Sequence, residues 1–328
     1  MEFSSLIDSI VEAPVVPSFT RIGYDVRSRT DHWRSLDTYD LTGRTILLTG
    51  ATSGLGLSAA KTLAGIGATM ILLGRDASKT ERVTQELREH TKSAAVHSVI
   101  ADMGDLRQIR SAAEAVERDH PSIDVLIHNA GALTASRINN SDGVEMTVAS
   151  QVFGPFLLTS LLLPLLQRGI RPGRVLTMSS GGMYASPLRV SDLEMDASSY
   201  KGPEQYSRAK RAQVTLNELW ASRTSASDVV FHALHPGWAD TPGVASSLPR
   251  FAKIVGPLLR TPAQGADTLV WLAADDAKPR ESTGKFWLDR RVREIHRLGS
   301  TKKSDTAVQR SELWQRCVDA TGIDAQTT

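Results

Sequence analysis

The chain has 328 residues, of which 41% are hydrophobic and 23% are charged, and its formal net charge at pH 7 is +2. This composition is ordinary for a globular protein, and α/β chains of this length often form a single domain. A net charge so close to zero gives no reason to expect nucleic acid as a partner. The single cysteine, Cys317, excludes an internal disulfide and a Cys-x-x-Cys metal site. We therefore expect no metal centre and a reducing, cytoplasmic location.

Neither a secretory signal nor a transmembrane segment is expected. The N-terminus lacks a basic segment and a small-residue cleavage site. The longest apolar run, residues 156–166, is interrupted by Thr159, Ser160 and Pro164 and is shorter than the roughly 20 residues that a spanning helix needs. It predicts a buried helix. Residues 5–16 are mildly amphipathic, which suits an arm that packs on its own domain or, alternatively, one that lies on a membrane or a partner.

Short apolar runs alternate with helical patterns, and this alternation indicates the fold class. Helices are predicted near 54–65, 78–90 and 105–119. The apolar runs predict seven strands: Thr45–Leu48, Thr69–Leu73, Ala95–Ile100, Val125–His128, Arg174–Met178, Val229–Leu234 and Lys285–Leu288. Such alternation predicts a single α/β domain of Rossmann type, with a doubly wound parallel sheet and helices on both faces. Ligands of such sheets bind beyond the carboxyl ends of the strands.

The chain divides into three parts by pattern. Residues 1–42 do not join the alternation and form an N-terminal extension, residues 43–290 form the α/β domain, and residues 291–328 form a C-terminal tail that packs on it. Within the domain, residues 239–263 contain four prolines among apolar residues, which predicts a mobile substrate flap. Residues 185–205 are predicted to form a loop near the substrate mouth.

A glycine-rich loop follows the first predicted strand. Residues 49–56 read Thr-Gly-Ala-Thr-Ser-Gly-Leu-Gly, a spacing that permits a tight turn, leaves room for a phosphate and lets the next helix pack closely on the strand. The helix N-terminus offers free N–H groups and the positive end of its dipole to an anion. A plain strand–helix turn is the alternative. The residues predicted to hold a dinucleotide pyrophosphate are Gly50, Thr52, Ser53, Gly54, Leu55 and Gly56.

The third and fourth predicted strands end in residues that suit other parts of a dinucleotide. Asp102, followed by Met103, could accept a hydrogen bond from an adenine amino group; capping of the following helix is the alternative. Asn129, Ala130 and Gly131 follow the fourth strand, and their small size leaves space for a cofactor ring. A bare turn is the alternative there.

The end of the second predicted strand bears on the choice between NADP(H) and NAD(H). A carboxylate at this point selects a free ribose hydroxyl, whereas an arginine accommodates a 2′-phosphate. Asp76 lies 20 residues after Gly56, where the acid is expected, but it falls in the cap region of a helix with a capping box at Ser78 and Glu81. Arg75 therefore makes NADP(H) the preferred prediction over NAD(H).

Tyr206 and Lys210 are four residues apart, so on a helix they share one face. A tyrosine with its usual pKa of about 10 is a poor base at neutral pH. A neighbouring ammonium group and the positive nicotinamide of an oxidised cofactor both favour the phenolate. The pair therefore predicts proton transfer, and Lys210 can also bind the nicotinamide ribose. Without the accompanying motifs, a tyrosine and a lysine four residues apart usually lie on an exposed helix face.

Polar residues also follow the fifth and sixth predicted strands. Ser180 could donate a hydrogen bond to a substrate carbonyl oxygen and stabilise negative charge that develops on it; a serine-rich turn is the alternative. Pro236 and Gly237 are predicted to form a rigid wall beside the nicotinamide, and Thr241 to bind its carboxamide. His235 is interpreted as a structural histidine, because no residue near it in the sequence would orient it as a base.

In chain order the glycine loop, Asn-Ala-Gly, the serine pair, Tyr-x-x-x-Lys and Pro-Gly-x-x-x-Thr resemble the short-chain dehydrogenase/reductase superfamily, from residue 43 to about residue 288. The resemblance implies an NAD(P)(H)-dependent oxidoreductase that acts on a small-molecule carbonyl/alcohol pair. It implies that Tyr206 is the general acid/base and that Lys210 activates it. Ser180 would orient the substrate oxygen, with Ser179 as the fallback.

Other motifs resemble one branch of this superfamily whose physiological substrate is not defined. They are residues 179–183, 235–243, 263–268 and 19–24 of the arm. Related enzymes often pair through the long helices on either side of the fifth strand, which implies a possible homodimer or tetramer.

Gln151 departs from the family pattern. The family commonly places an asparagine at this position, three residues before a glycine, where it holds a proton-relay water near the lysine. The extra methylene of Gln151 could displace that water, so the residue is a candidate for the catalytic set or an ordinary polar helix residue.

Hydride transfer between NADP(H) and a carbonyl/alcohol pair is the leading hypothesis. A cofactor-binding regulatory or scaffold protein with little activity is the alternative. A sugar-nucleotide epimerase or dehydratase fits less well, because those enzymes resemble T-G-x-x-G-x-x-G, and Gly54 lies one position later than that pattern requires.

Overall fold

The protein is built around one mostly parallel sheet. The computed structural model describes residue 8 and residues 15–91, 95–241, 243, 253 and 255–323. The strands of the described chain are β1 Thr45–Thr49, β2 Thr69–Gly74, β3 Val96–Ile100, β4 Val125–His128, β5 Gly173–Met178, β6 Val229–Leu234, β7 Lys285–Leu288 and β8 Arg291–Arg293. Their spatial order is β3-β2-β1-β4-β5-β6-β7-β8, and only the pair β7–β8 is antiparallel. The strand order reverses between β1 and β4, as in a doubly wound Rossmann sheet, which confirms the predicted fold class.

Helices cover both faces of this sheet. Those in the described chain are α1 Val15–Phe19, α2 Arg21–Thr30, α3 Gly54–Gly65, α4 Ala77–Thr91, α5 Leu106–Asp119, α6 Met146–Gln167, α7 Gly202–Arg223, α8 Pro262–Ala274, α9 Gly299–Ser304 and α10 Ala307–Thr321. Alternate strand residues point to opposite faces. Leu47 therefore joins the core under α5, α6 and α7, whereas Ile46 and Leu48 join the core under α3 and α8.

The seven predicted strands are all present, each within one residue of its predicted ends. The eighth strand, β8, was not predicted. It is a three-residue edge strand, joined to β7 by a two-residue turn in which Asp289 and Arg290 both have a φ of 55°. Hairpin turns of this kind usually carry Asn-Gly or Asp-Gly, because glycine adopts positive φ without strain. The sequence Asp-Arg lacks that signal.

The helix α6 explains the longest apolar run. Among the described residues it is the one helix with the length and apolar character to cross a membrane, but most of its apolar window is buried inside the fold. The prediction of a buried helix is therefore confirmed. Residues Ala149–Phe153 form a π-helical turn within it. Such turns occur mostly as single insertions in α-helices, frequently at functional sites.

The C-terminal helix α10 packs across both α6 and α7. Trp314 contacts Phe156 of α6 and Trp220 of α7, with ring centroids 5.0 Å and 4.8 Å apart. The same helix fixes the loop after β5, because Arg316 donates a hydrogen bond to the carbonyl oxygen of Val190 at 2.8 Å. The faces of the two long helices that were expected to pair between copies of the chain are thus covered in part by the chain's own C-terminal helix.

The described part of the N-terminal extension packs on the edge of the domain where the strands end. Phe19 is buried, 3% exposed, and its ring lies 4.4 Å from the ring of His235 and 5.8 Å from that of Trp238. Arg27 on α2 is fully buried. The predicted flap, by contrast, lies partly outside the described residues, which include 239–241, 243, 253 and 255–263 of it.

Candidate active site

The predicted site residues follow the carboxyl ends of β1 to β6, or lie on helices that cover those ends. Because these strands are parallel, their carboxyl ends form one edge of the sheet. The glycine loop follows β1, Arg75 follows β2, Asp102 follows β3, and Asn129 follows β4. Ser180 follows β5 within two residues. The fold therefore gathers residues as far apart in the chain as Gly50 and Ser180, 130 positions, along one edge.

The glycine loop has the backbone that its spacing predicts. Gly50 and Gly54 have φ values of 69° and 54°, a region that glycine adopts without strain. A Cβ atom on Gly56 would clash with the carbonyl oxygen of Gly50, so glycine is required there. Ser53 is the N-cap of α3, and its side chain makes no capping hydrogen bond. The first N–H groups of α3 are therefore available to an anion.

Asn129 braces this loop rather than opening it to a ligand. Its side-chain Nδ2 donates hydrogen bonds to the carbonyl oxygens of Thr49 and Gly50, each at 3.1 Å. The hydroxyl of Thr49 accepts in turn from the backbone N–H groups of Asn129 and Ala130, each at 3.0 Å. A Cβ on Gly50 would lie 2.8 Å from Cα of Ala130, so the two strand ends are in direct contact.

Asp102 does not cap the helix that follows it. Asp105 does so, because its carboxylate accepts hydrogen bonds from the backbone N–H groups of Arg107 and Gln108. Asp102 uses one oxygen to accept from the N–H of Gly104 at 2.8 Å. Its side chain is half-buried at the end of β3, where an adenine would lie beside it. Met103, by contrast, is buried in the core.

The two charged residues after β2 have different roles. Asp76 accepts a hydrogen bond from the N–H of Lys79 at 2.9 Å and so caps α4. The predicted capping box at Ser78 and Glu81 is therefore wrong, and Glu81 instead accepts from the hydroxyl of Ser98. Arg75 is exposed, and the described chain offers it no hydrogen bond or ion pair. Its guanidinium group remains available for an anion.

Tyr206, Lys210 and Ser180 meet at the end of β5. The Ser180 side chain lies beside the Tyr206 phenol, and the Lys210 ammonium lies 5.3 Å from the centre of the phenol ring. Burial raises the pKa of Tyr206 to about 12, and the nearby Ser180 hydroxyl opposes this rise. Burial also lowers the pKa of Lys210 to about 7, and its Nζ donates to the carbonyl oxygen of Met178 at 2.9 Å. Ser179 donates to the backbone of Lys210 instead and does not take this position.

Gln151 lies on the π-helical turn of α6 and faces the same place. Its Nε2 donates to the carbonyl oxygen of Ala132 at 2.7 Å, while its Oε1 is buried without a hydrogen-bond partner. A Cβ on Gly131 would lie 2.9 Å from this Oε1 and 3.4 Å from Nζ of Lys210. The amide oxygen and the ammonium group therefore border the same small space above Gly131.

The residues after β6 form the opposite side of the site. His235 is buried, neither ring nitrogen has a partner, and burial lowers its pKa to about 3. It is a neutral packing residue, in agreement with its structural interpretation. Ala239 pairs with Arg260 in a short parallel bridge, two residues before the half-buried Thr241. A Cβ on Gly265 of α8 would lie 2.6 Å from Leu55 and 2.9 Å from Ala239, so α8 joins this side to the glycine loop.

Two residues of this region were not found by sequence reasoning. Phe19 packs against His235 and Gly181, since a Cβ on Gly181 would lie 2.9 Å from the Phe19 ring. Arg260 is 1% exposed and lies against Gly237. The arm motif around Phe19 was noticed only as a resemblance, and no local pattern marks Arg260.

A nicotinamide dinucleotide fits these residues. The first N–H groups of α3, which the N-cap side chain leaves free, the close packing that Gly56 allows between α3 and the end of β1, and the buried ammonium of Lys210 suit the phosphates and ribose of such a cofactor. The chain also matches the short chain dehydrogenase family over residues 44–250, which is more than half of its length.

The protein belongs to the short-chain dehydrogenase family. It is 35% identical over 289 residues to human dehydrogenase/reductase SDR family member 12, covering 88% of this chain and 90% of that protein. This similarity confirms the predicted branch. It is also 36% identical over 290 residues to a Streptomyces protein named as a daunorubicin C-13 ketoreductase, covering 87% and 95% of the two chains. The short-chain dehydrogenase is therefore an oxidoreductase that acts on carbonyl/alcohol groups.

A solved structure supports nicotinamide binding by this short-chain dehydrogenase. The crystal structure of a short chain dehydrogenase from Escherichia coli CFT073 complexed with NADPH superimposes with a TM-score of 0.63 at 26% identity. The match covers 79% of this chain and all of that one.

Proposed function

We propose that the protein catalyses reversible hydride transfer between NADP(H) and a moderately apolar carbonyl/alcohol substrate in the cytoplasm. The observation that carries this proposal is the meeting of Tyr206, Lys210 and Ser180 beside the carboxyl end of β5, on the edge that holds the glycine loop. The nicotinamide supplies the hydride when the cofactor is bound. The aromatic residues Trp238 and Phe19 beside Ser180 are the reason for expecting an apolar substrate.

Tyr206 acts as the general acid in the reductive direction. Its raised pKa keeps the phenol protonated at neutral pH, which is the form that donates a proton to a carbonyl oxygen. Ser180 lies beside the phenol and can donate to the same substrate oxygen. In the oxidative direction the phenolate is needed, and the positive charge of Lys210 lowers its energy.

The substitution Tyr206→Phe tests this assignment. The variant should lose turnover by roughly 10²–10⁴-fold, which is what general acid catalysis contributes, and should still bind NADPH. Wild type and variant are compared by NADPH oxidation with a panel of ketones, aldehydes and quinones. Near-normal turnover by the variant would contradict the role of Tyr206. Binding of NADPH by the wild type without turnover on any substrate would favour the regulatory alternative.

Arg75 is the residue that we propose to bind the 2′-phosphate of NADP(H). It is exposed at the end of β2, whereas the neighbouring carboxylate of Asp76 already caps α4. Arg75→Ala should weaken NADPH binding about tenfold or more and change NADH binding by less than about twofold, because one charge-assisted phosphate contact is lost. Arg82→Ala, an exposed arginine on α4, is the matched control. Tighter binding of NADH than NADPH by the wild type would refute the preference.

A further inference from the structure

The segment after β6 is supported by one buried guanidinium group, that of Arg260. Arg260 donates through Nη1 to the carbonyl oxygen of Pro236 at 3.3 Å. A Cβ on Gly237, which has a φ of 75°, would clash with the same guanidinium. The backbone of Arg260 also pairs with this segment, donating to the carbonyl oxygen of Trp238 and accepting from the N–H of Asp240, both at 2.8 Å. We call residues 236–238 the nicotinamide wall.

The other side of Arg260 is bound to the N-terminal arm. Its Nε donates to the carbonyl oxygens of Phe19 and Thr20, at 3.1 Å and 3.2 Å, and Nη2 donates to that of Ser18 at 3.0 Å. The carbonyl oxygen of Phe19 also accepts from the N–H of Trp238 at 2.6 Å. The guanidinium therefore lies between the arm and the nicotinamide wall and is bonded to both.

A buried carboxylate fixes the orientation of this guanidinium. Asp289 is fully buried and accepts from Nη1 and Nη2 of Arg260 at 2.5 Å and 2.9 Å. The same carboxylate accepts from Arg27 of the arm at 2.6 Å. Asp289 adopts a positive φ in the β7–β8 turn, so a strained backbone is retained where it presents this carboxylate. Two guanidinium groups thus share one carboxylate, but only Arg260 touches the wall.

We propose that Arg260 is a positioning residue for the nicotinamide half of the cofactor, and that the N-terminal arm is through it a structural part of the cofactor site. This proposal rests on the proposed function. A planar guanidinium can bond in several directions at once within one plane, whereas a lysine ammonium is a point charge with three donors. Lysine at this position cannot reach Pro236, Asp289 and the arm carbonyls together, so the nicotinamide wall would lose its support.

The test uses two probes that share the adenosine-phosphate half of the cofactor. NADPH contacts the nicotinamide wall, whereas 2′,5′-ADP lacks a nicotinamide and does not reach it. Arg260→Lys should weaken NADPH binding about tenfold while changing 2′,5′-ADP binding by less than about twofold, both measured by calorimetry. Arg27→Lys is the matched control, because it also perturbs Asp289 and the arm, and none of the described hydrogen bonds of Arg27 goes to the wall. It should leave both affinities within about twofold.

Each other outcome contradicts the proposal. Equal weakening of both probes by Arg260→Lys would show a general loss of structure. An equal loss of NADPH affinity in Arg27→Lys would show that the effect comes from disturbing Asp289 or the arm, and not from the contact of Arg260 with the wall. If Arg260→Lys does not fold, the same two affinities are measured for Asp289→Asn. We expect this variant to weaken NADPH binding selectively, by less than Arg260→Lys would. Equal weakening of NADPH and 2′,5′-ADP binding would refute the proposal. A wild type that binds neither probe would overturn the proposed function itself, together with this proposal.

Discussion

Lys210 should destabilise the folded protein in the absence of cofactor. Replacing it by methionine should therefore raise the free energy of unfolding at neutral pH. Burial lowers the pKa of Lys210 from its ordinary value of 10.5 to about 7 in the folded protein. At pH 7 and below, the unfolded chain binds the Lys210 proton more tightly than the folded chain does. This difference in proton binding favours the unfolded state. At about 1.36 kcal/mol per pKa unit, this difference lowers the free energy of unfolding by about 5 kcal/mol.

The substitution Lys210→Met removes this cost but also removes a hydrogen bond. The carbonyl oxygen of Met178 loses its bond from Nζ, and an unsatisfied buried acceptor costs about 1–3 kcal/mol. At pH 7 the variant should therefore be about 2–4 kcal/mol more stable than the wild type, although turnover is lost. The stability of the wild type rises between pH 7 and 10.5, because there the unfolded chain still binds a proton that the folded chain has lost, and the advantage of binding it shrinks as the pH rises. Near pH 10.5 the variant should be the less stable protein.

Urea denaturation of the cofactor-free proteins between pH 6 and 10.5 measures this reversal. Other titrating groups are common to both proteins and cancel in the difference between them. Lys61→Met, at an exposed position of α3, should show a difference that stays within about 0.5 kcal/mol over the whole pH range. A Lys210→Met difference that does not change with pH would refute the reasoning, since it would mean that Lys210 is not desolvated in the folded protein.

Three further outcomes are expected. Gln151→Asn should keep or raise kcat, because the shorter side chain leaves room for a water beside Lys210; a large loss in steady-state assays would show that the glutamine itself matters. Trp314→Ala should cost about 3–5 kcal/mol in urea denaturation and expose the apolar faces of α6 and α7, seen as self-association in light scattering; an unchanged midpoint would contradict the packing. The cavity of about 30 Å³ between α6, α7 and the sheet is lined by Gln213 and Asn217, whose side chains have buried atoms without partners. It should hold one or two ordered waters in a high-resolution crystal structure, and a dry cavity would be the contrary result.

Local sequence patterns were sufficient to predict the strands of the sheet and the candidate site residues at its edge. A buried parallel strand is a short apolar run, so consecutive residues are enough to predict its position. The ends of the strands could therefore be predicted as well. The glycine loop and the Tyr206–Lys210 pair are also local, because a turn or one helical turn is enough to align their members. The order of these motifs along the chain identified the family before any contact was known.

Competing local signals were resolved only by the fold. The sequence alone allowed Asp76 either to receive the cofactor ribose or to cap α4, and it allowed Asp102 to cap the next helix. The structure assigns the caps to Asp76 and Asp105. Helix capping depends on where the first helical residue falls, and a shift of two residues changes which side chain reaches the free N–H groups.

The support of the nicotinamide wall was decided by tertiary structure alone. Arg260 bonds to Phe19, which is 241 positions away in the chain, and to Asp289 in a turn that carries no glycine signal. A buried guanidinium is stable only where carbonyl oxygens and a carboxylate converge on it, and that convergence is a property of packed elements. The sequence by itself predicted which residues do the chemistry; only the folded chain decided what holds them in place, because the holding contacts join segments from its two ends.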